Sequence, residues 1–276
     1  MYGRTVATII STINVNGIRA ATGKTGKGML EWLNVTEADI ICLQETRATE
    51  EQTRKALAPA LDAGWFLSHA EPGVKGRAGV GVLSRREPRA VRVGIGHDDN
   101  GTWVPSTEFG GTGRYIEVDF DEVTVASVYV HTGEADTPMQ DEKYRFLDAV
   151  GARMLAHTGD FVICGDWNIG HTELDIKNWK GNVKNAGFLP GERAWVSSML
   201  AAGYVDVVRE LHPGVPGPYS WWSYRGRAYD NDAGWRIDYH LARGDISGRA
   251  KQAVVEKAPT YALRWSDHAP VTVQYR

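Results

Sequence analysis

The stretch FVICGDWNIGHTELD, residues 161–175, contains an apolar run that ends at Gly165 and is followed by Asp166 and Asn168. The apolar run predicts a buried β-strand over residues 160–165. Asp, Asn and Gly are frequent turn formers, so the polar residues have a purely structural interpretation. Residues at positions i and i+2 also project to one side of an extended chain, as the members of a ligand site would. Polar residues at other strand ends favour this second interpretation.

Short apolar runs rich in Val and Ile recur along the whole chain and indicate a protein of mixed secondary structure. Strands are predicted at 5–13, 39–43, 78–84, 114–119, 123–130, 160–165, 235–241 and 270–274. Helices are predicted at 28–36, 51–60, 138–157 and 193–202. Strands mixed with helices indicate a layered α/β or α+β fold. No linker separates two different halves, so we expect one domain over residues 1–276, with the Gly-rich segment 94–113 as a surface loop.

The composition is that of a globular protein with a hydrophobic core, since 42% of the residues are hydrophobic and 24% are charged. No apolar run approaches the ~20 residues that cross a bilayer, so no membrane association is expected. Cys42 and Cys164 lie in apolar runs and are predicted to be buried, reduced thiols of a cytoplasmic protein. The net charge of -3 does not favour nucleic-acid binding, but a local basic face would be sufficient for it.

Polar side chains also stand at or near the ends of several other predicted strands. They are Asn14, Asn16, Glu45, Tyr129, Asp238, Asp267 and His268. Ligands of open sheets gather beyond the strand ends, so we expect these side chains to meet Asp166 and Asn168 in one site. Oxygen ligands without a Cys or His cluster favour a hard cation such as Mg²⁺. An Asp and a His would then supply acid–base chemistry.

Two other kinds of active site are disfavoured by motif spacing. The segment GIRAATGKTGKG, residues 17–28, resembles a phosphate-binding P-loop. Five residues separate Gly17 from Gly23 instead of the four that the motif requires, so a flexible basic loop is predicted instead. No G-x-S-x-G nucleophile elbow accompanies His268, which argues against a serine hydrolase.

Five segments together resemble the exonuclease III family of apurinic/apyrimidinic endonucleases. They are NVNGIRA (14–20), LQET (43–46), GDWNIGHTELDIKNWKGNVKNAGF (165–188), GWRIDY (234–239) and SDHAPV (266–271), and they cover nearly the whole chain. The resemblance implies a four-layer sandwich of two facing mixed β-sheets flanked by helices. It also implies Mg²⁺-dependent hydrolysis of duplex DNA 5′ to abasic sites, with 3′–5′ exonuclease activity and removal of 3′ blocking groups. Mn²⁺ is the expected substitute metal, and a monomer is expected.

The resemblance also implies roles for the polar residues. Glu45 would bind the metal with Asn14 and Asn16, and Asp267 would bind metal or tune His268. Asp166 would orient and deprotonate the attacking water, and Asn168 would hold the water or a phosphate oxygen. His268 would stabilise the phosphoryl group, with Asp238 orienting its imidazole, and Tyr129 would assist the phosphate or the leaving group. Asp166 and His268 remain rival candidates for the base, and the number of metals is open.

DNA contacts are expected from polar and aromatic side chains in the later half of the chain. Asn182 and Asn185 match positions near the phosphate and the abasic sugar in the family. Trp221 and Trp235 are predicted walls of a pocket for an extrahelical sugar, and Trp222 is predicted to be core. The basic residues Arg19, Lys180, Lys184, Arg225 and Arg227 are candidates for contacts with the phosphate backbone.

The sequence departs from the family after the strand that carries Tyr129. Relatives usually have Pro and then Asn or Gln there, but this chain has His131 and Thr132. The shorter Thr side chain leaves the phosphate-binding role of this position open. Three alternatives stand beside the main hypothesis: a predominantly 3′–5′ exodeoxyribonuclease, a phosphoesterase of the same fold acting on lipid or inositol phosphates, and a non-catalytic DNA-binding homologue.

Overall fold

The computed structural model describes residues 7–23, 28–98 and 102–276, and within these ranges twelve strands form two sheets. The strands are β1 (Thr8–Asn14), β2 (Ile40–Gln44), β3 (Phe66–Ala70), β4 (Val80–Ser84), β5 (Ala90–Val93), β6 (Tyr115–Asp119), β7 (Thr124–Tyr129), β8 (Phe161–Asp166), β9 (Val205–Asp206), β10 (Asp238–Arg243), β11 (Ala250–Val255) and β12 (Val271–Tyr275). The first sheet has the order β11-β12-β1-β2-β4-β3, and the second has the order β5-β6-β7-β8-β10-β9.

Each sheet is mixed because one parallel pair stands at its centre. β1 runs parallel to β2, and β7 runs parallel to β8, whereas the other pairs are antiparallel. The carboxyl ends of parallel strands meet at one edge of a sheet. The two central pairs therefore present Asn14, Gln44, Tyr129 and Asp166 at their ends.

The two sheets face each other across an apolar core that includes Ile10, Cys42, Val125, Cys164 and Val273. Helices α1 (Ile18–Thr22), α2 (Met29–Val35), α3 (Glu50–Ala56), α4 (Ala58–Asp62), α5 (Pro138–Ala156) and α6 (Pro190–Ala201) cover the outer faces. The short helices α7 (Val207–Leu211) and α8 (Asp245–Gly248) pack their buried side chains into the core between the sheets. Helices α1 to α4 pack on the first sheet, and α5 and α6 pack on the second. The predicted four-layer sandwich is confirmed.

The strands missing from the prediction are β3, β5, β9 and β11, which form the outer edges of the two sheets. An edge strand has one paired side and often a solvated face, so it needs no continuous apolar run. In β5, for example, Val91 and Val93 are exposed. Edge strands therefore lack the signal by which the central strands were found.

Several helix and loop predictions can also be compared with the structure. The helix predicted at 138–157 is α5, where the Thr137 side chain accepts a hydrogen bond from the Met139 amide. The prediction of a single helix at 51–60 is wrong, because two helices occupy this region. The first helix ends before Leu57, and Pro59 lies in the first turn of the second helix. Residues 24–27 of the predicted basic loop lie outside the described residues, as does the start of the strand predicted at 5–13.

Both cysteines are free and buried, as predicted. The described part of the Gly-rich segment 94–113 contains neither helix nor strand, and its Ile95 and Phe109 are anchored in the apolar layer beneath α5. None of the described helices is long and apolar enough to span a bilayer.

Candidate active site

A cleft of about 270 Å³ opens where the ends of the central strands of both sheets meet. The residues that line it are Glu45, Thr132, Asp166, Asn168, Ala186, Gly187, Trp221, Trp235, Ile237, Asp267 and His268. Seven of these were singled out as site residues from the sequence, although they come from segments spread over most of the chain.

Asp166 and Asn168 form a turn and line the cleft at the same time. The Asp166 Oδ1 accepts a hydrogen bond from the Asn168 amide at 2.9 Å, and Asn168 has a left-handed φ of 49°. Gly165 has a φ of 151°, and a Cβ there would lie 1.9 Å from the Val128 carbonyl oxygen, so only glycine fits this close approach to β7. The strand therefore ends in a rigid turn that directs both polar side chains towards the site.

Asn14 connects the carboxylates of the two sheets. Its Nδ2 donates to Glu45 Oε1 at 2.9 Å and to Asp166 Oδ2 at 2.8 Å, and its Oδ1 accepts from the Asn16 amide. In this orientation Asn14 holds two acidic groups together. The amide orientation follows from the hydrogen-bond network.

Glu45 stands just after β2 with a φ of 51°, a backbone conformation that is strained for a non-glycine residue. Its Oε2 accepts hydrogen bonds from the Arg47 guanidinium, including one from Nε at 2.7 Å. Arg47 was not recognised in the sequence, although a cation two residues beyond a strand-end carboxylate was a usable signal. Glu45 is therefore held between the Asn14 amide and the Arg47 cation.

Asp267 is fixed by two side chains from other parts of the chain. The Asn16 Nδ2 donates to Asp267 Oδ1 at 2.8 Å, and the Trp221 Nε1 donates to Oδ2 at 3.1 Å. Asn16 therefore contacts Asp267 directly, as expected if both belong to one site.

His268 lies between two carboxylates. Its Nδ1 is 2.8 Å from Asp238 Oδ2 and its Nε2 is 3.7 Å from Asp166 Oδ2. The antiparallel register of β10 and β8 places Asp238 directly opposite Asp166. Burial alone would lower the pKa of His268, but Asp238 and Asp166 raise it to about 10. The imidazole is therefore protonated at neutral pH in the protein without metal.

The pKa of Asp166 is raised as well, which for a carboxylic acid favours the neutral form. Burial raises the pKa of Asp166 to about 7, with Asp238 and Glu45 adding to the rise and His268 opposing it. Tyr129 lies beside Asp166 in the parallel register of β7 and β8. Burial, together with Glu45 and Asp166, raises the pKa of Tyr129, so its phenol keeps its proton and acts as a donor.

The donor set fits a hard divalent cation. Four carboxylates, those of Glu45, Asp166, Asp238 and Asp267, lie near two cationic side chains, Arg47 and His268. Asp238 Oδ1 is buried and has no hydrogen-bond partner among the described residues. Ligand atoms of Asp166, Asp238 and His268 lie within 4.8 Å of one another. Glu45 and Asp267, the ligands expected from the sequence, line the same cleft.

Two tryptophans form an aromatic part of the cleft wall. Trp221 and Trp235 exchange two backbone hydrogen bonds, and their rings meet edge to face with centroids 6.1 Å apart. Trp222, the next residue, is 1% exposed and donates its indole N–H to Asp232, so the prediction that it belongs to the core is confirmed. The alternation of strand-like backbone turns neighbouring rings to opposite sides.

The remaining predicted DNA-contact residues lie outside the lining of the cleft. Asn185 Nδ2 donates to Asn182 Oδ1, and Asn182 Nδ2 donates to the Asn178 carbonyl, so these two amides order one surface loop. Arg19 and Arg225 are exposed. Thr132 lies in the cleft with its hydroxyl 3.5 Å from Asn168 Oδ1, whereas the ring of His131 lies between Arg114 and the Met139 carbonyl.

Comparison with known proteins gives concordant matches. Residues 11–268 match the model of the endonuclease/exonuclease/phosphatase family. An exodeoxyribonuclease from Bacillus subtilis is 36% identical over 94% of this chain and 95% of its own length. An AP endonuclease structure from Archaeoglobus fulgidus superposes with a TM-score of 0.84 at 25% identity, covering 97% of this chain and 99% of that one. A 3′ phosphatase from Neisseria bound to a product DNA hairpin has a TM-score of 0.84 at 26% identity, covering 98% and 99%.

Proposed function

Because the chain belongs to the endonuclease/exonuclease/phosphatase family, we propose that it is a metal-dependent DNA-repair nuclease that cuts duplex DNA 5′ to abasic sites. The observation that carries the proposal is the meeting of Glu45, Asp166 and the His268–Asp238 pair in one cleft walled by Trp221 and Trp235. The accompanying activities are 3′–5′ exonuclease action and removal of 3′ blocking groups. We also propose that the protein acts as a monomer.

Phosphodiester hydrolysis needs a placed water, neutralised phosphate charge and help for the leaving alkoxide. His268 is protonated and held by Asp238, so it donates a charge-assisted hydrogen bond to a phosphoryl oxygen. A protonated imidazole is unsuited to accept a proton, and this leaves Asp166 as the base that orients and deprotonates water. Asn168 holds the water or a phosphate oxygen, and Tyr129 donates to the phosphate or to the leaving oxygen.

Glu45 and Asp267 would hold the cation, with Asn16 positioned by its contact with Asp267 and Asn14 bridging Glu45 to Asp166. The oxygen-rich donor set suits Mg²⁺, with Mn²⁺ as a substitute. When bound, the ion would neutralise phosphate charge and act as a Lewis acid.

The aromatic walls explain how a lesion would be selected. A deoxyribose without a base can turn out of the helix and fit between Trp221 and Trp235, whereas a full nucleotide is excluded by its size. Arg225 on the neighbouring loop and Arg19 on α1 are exposed cations that suit the flanking phosphates. Asn182 and Asn185 would approach the same strand from their surface loop.

The decisive experiment is incubation with Mg²⁺ and a duplex that carries one abasic analogue and a labelled strand. A discrete product cut 5′ to the lesion is the expected result. A ladder that shortens from the 3′ end without that product would support the second candidate, a predominantly 3′–5′ exodeoxyribonuclease. Thr132 favours keeping this candidate, because its short side chain occupies a cleft position next to Asn168. Cleavage of lipid or inositol phosphates but not DNA would refute both.

A further inference from the structure

A buried ion pair, Lys143–Glu192, lies behind the cleft and joins three segments that line it. We propose that these two residues are positioning residues that set the width of the sugar pocket and thereby select abasic sugars over intact nucleotides. The inference rests on the proposed function for its substrate, but the geometry that carries it involves only the residues of the chain.

Lys143 belongs to α5 and its side chain is fully buried. Its Nζ donates to the Thr132 carbonyl at 3.0 Å, to the Asn168 carbonyl at 2.9 Å and to Glu192 Oε1 at 2.6 Å. An ammonium has three donors, so all of them are engaged. Two of the three acceptors are backbone carbonyls of residues that line the cleft. Lys143 therefore holds Thr132 and Asn168 at a set separation without reaching the substrate itself.

Glu192 extends the same network to the third segment. Its Oε2 accepts hydrogen bonds from the amides of Gly187 at 2.7 Å and Leu189 at 2.9 Å. Gly187 lines the cleft together with Asn168. A continuous chain of hydrogen bonds therefore runs from Thr132 through Lys143 and Glu192 to Gly187, along the back of the pocket.

Gly187 connects the hydrogen-bond network of Lys143 and Glu192 to the aromatic wall of the cleft. It has a φ of 92°, and a Cβ there would lie 3.0 Å from the Asn168 carbonyl oxygen and 3.0 Å from Cζ3 of Trp235. The backbone of Gly187 thus packs directly between the carbonyl held by Lys143 and the ring that forms the wall. Any relaxation of Asn168 or Gly187 changes the space in front of Trp235.

A structural role alone gives a weaker account of this pair. Burying two charges costs desolvation free energy, so a buried ion pair is often no more stabilising than apolar residues of similar size. What distinguishes Lys143–Glu192 is that three of its other hydrogen bonds go to the backbone of cleft-lining residues, namely Thr132, Asn168 and Gly187. A second buried pair on the same helix, Arg153–Glu117, bonds α5 to β6 instead. It lies about 15 Å further along the helix axis and is a matched control.

The test compares the double variant Lys143→Met/Glu192→Gln with the control Arg153→Met/Glu117→Gln. The first removes the bonds to Thr132 and Asn168, while the side-chain oxygen of the introduced glutamine can still accept from Gly187 and Leu189. Incision at a single abasic analogue and 3′–5′ degradation of undamaged duplex are measured as kcat and KM. We expect kcat for incision to fall about 30-fold with KM within about 3-fold, because misplacement by a fraction of an ångström is costly for a positioned reaction.

Exonuclease turnover should fall much less in the same variant, so the ratio of incision to exonuclease activity should drop by about 10-fold. The control variant should keep the wild-type ratio. A folded Lys143→Met/Glu192→Gln protein with the wild-type ratio would overturn the inference, and so would an equal change of ratio in the control. If the double variant does not fold, Lys143→Arg takes its place. A guanidinium spreads its donors over a plane and cannot serve three acceptors around one nitrogen, so the ratio should fall here too, and a wild-type ratio would refute the inference.

A measurement without DNA separates this inference from the proposed function. The protein is labelled with 5-fluorotryptophan, and the Trp235 resonance is assigned with Trp235→Phe. We expect this resonance to shift in Lys143→Met/Glu192→Gln and to stay in place in the control. If the wild-type protein cuts no DNA but the resonance shifts, the proposed function fails and the positioning role stands. If the resonance is unchanged, the positioning role fails.

Discussion

Asp238 Oδ2 accepts a hydrogen bond from His268 Nδ1 across 2.8 Å, at a point where the Asp238 side chain is fully buried. The pairing explains why His268 keeps its proton in a buried environment that would otherwise remove it. Asp238 is placed by its register opposite Asp166, so one pair of neighbouring strands positions both carboxylates around the imidazole.

Replacing Asp238 by Asn should therefore bring the pKa of His268 down from about 10 towards or below the ordinary value for histidine. The amide keeps the size of the side chain but removes the charge that raises the pKa, and burial then dominates. A histidine NMR titration of the metal-free protein measures the change. DNA cleavage at neutral pH should fall as well, since less imidazolium is present. A His268 that still titrates near pH 10 would contradict this account.

Asp166→Asn should abolish most turnover while the protein still binds DNA. Asn has no basic oxygen with which to deprotonate water, so single-turnover cleavage of the abasic duplex should slow by about 10⁴-fold. The side-chain oxygen of the introduced Asn can still accept from the Asn168 backbone N–H, so the turn should persist. Fluorescence anisotropy with labelled duplex measures binding, and near-wild-type turnover in this variant would defeat the proposed mechanism.

Glu45→Gln should weaken metal binding. The substitution removes a charged oxygen ligand, and calorimetric titration with Mg²⁺ or Mn²⁺ should report at least about 10-fold lower affinity. Arg47→Ala should change the metal affinity in the opposite direction and raise it, because this substitution removes the cation that competes for Glu45 Oε2. If both variants bound metal like the wild type, Glu45 would not be a ligand.

Trp235→Ala and Trp222→Ala should have different effects, because Trp235 lines the cleft and Trp222 belongs to the core. Removing the cleft wall at Trp235 should reduce the preference for abasic over intact duplex by about 10-fold, as stacking contacts are lost. Removing the buried Trp222 should instead lower the free energy of unfolding by about 3–5 kcal/mol. Competition assays and urea unfolding measure the two effects, and a reversed pattern would show that the rings were assigned to the wrong roles.

His240 should make the fold sensitive to acid. It is fully buried between the sheets, with Nε2 donating to the Val271 carbonyl at 3.0 Å, and burial lowers its pKa to about 4. Its folded pKa is below the unfolded value of about 6.5, so its contribution is complete above pH 6.5 and is lost as the pH falls towards 4. The loss amounts to about 3 kcal/mol.

The comparison of wild type with His240→Gln isolates this effect, since other titrating groups cancel in the difference. Urea unfolding at pH 7.5, 6.0 and 4.5 should show that the stability advantage of the wild type shrinks as the pH falls. A difference that stays constant with pH would mean that His240 titrates alike in both states.

Much of the fold was accessible from local sequence because the central strands are buried on both faces. The runs ending at Asp166 and Glu45 are apolar throughout most of their length, and each stops at a polar residue. The edge strands were missed because solvent on one side removes that pattern. The end of α3 at Leu57 was missed because the helical spacing of apolar residues continues past Leu57, although the helical backbone conformation does not.

The contacts between distant segments could not be read in the same way. The Asn14 amide nitrogen donates to two carboxylates, one from each sheet, and no local pattern indicates that bridge. Lys143 looks like an ordinary helix residue in the sequence, and its burial depends on three carbonyl and carboxylate acceptors from elsewhere in the chain. Such contacts depend on packing that no local pattern encodes.

The sequence by itself determined which strands are central and which side chains stand at their ends, because burial and turn formation leave local patterns of apolar and polar residues. Only the tertiary structure decided which of those side chains form hydrogen bonds and ion pairs with one another. Register between strands places Asp238 opposite Asp166, and loop packing brings His268 between them. These relationships are set by the free energy of packing the whole chain, so they appear only when the two sheets come together.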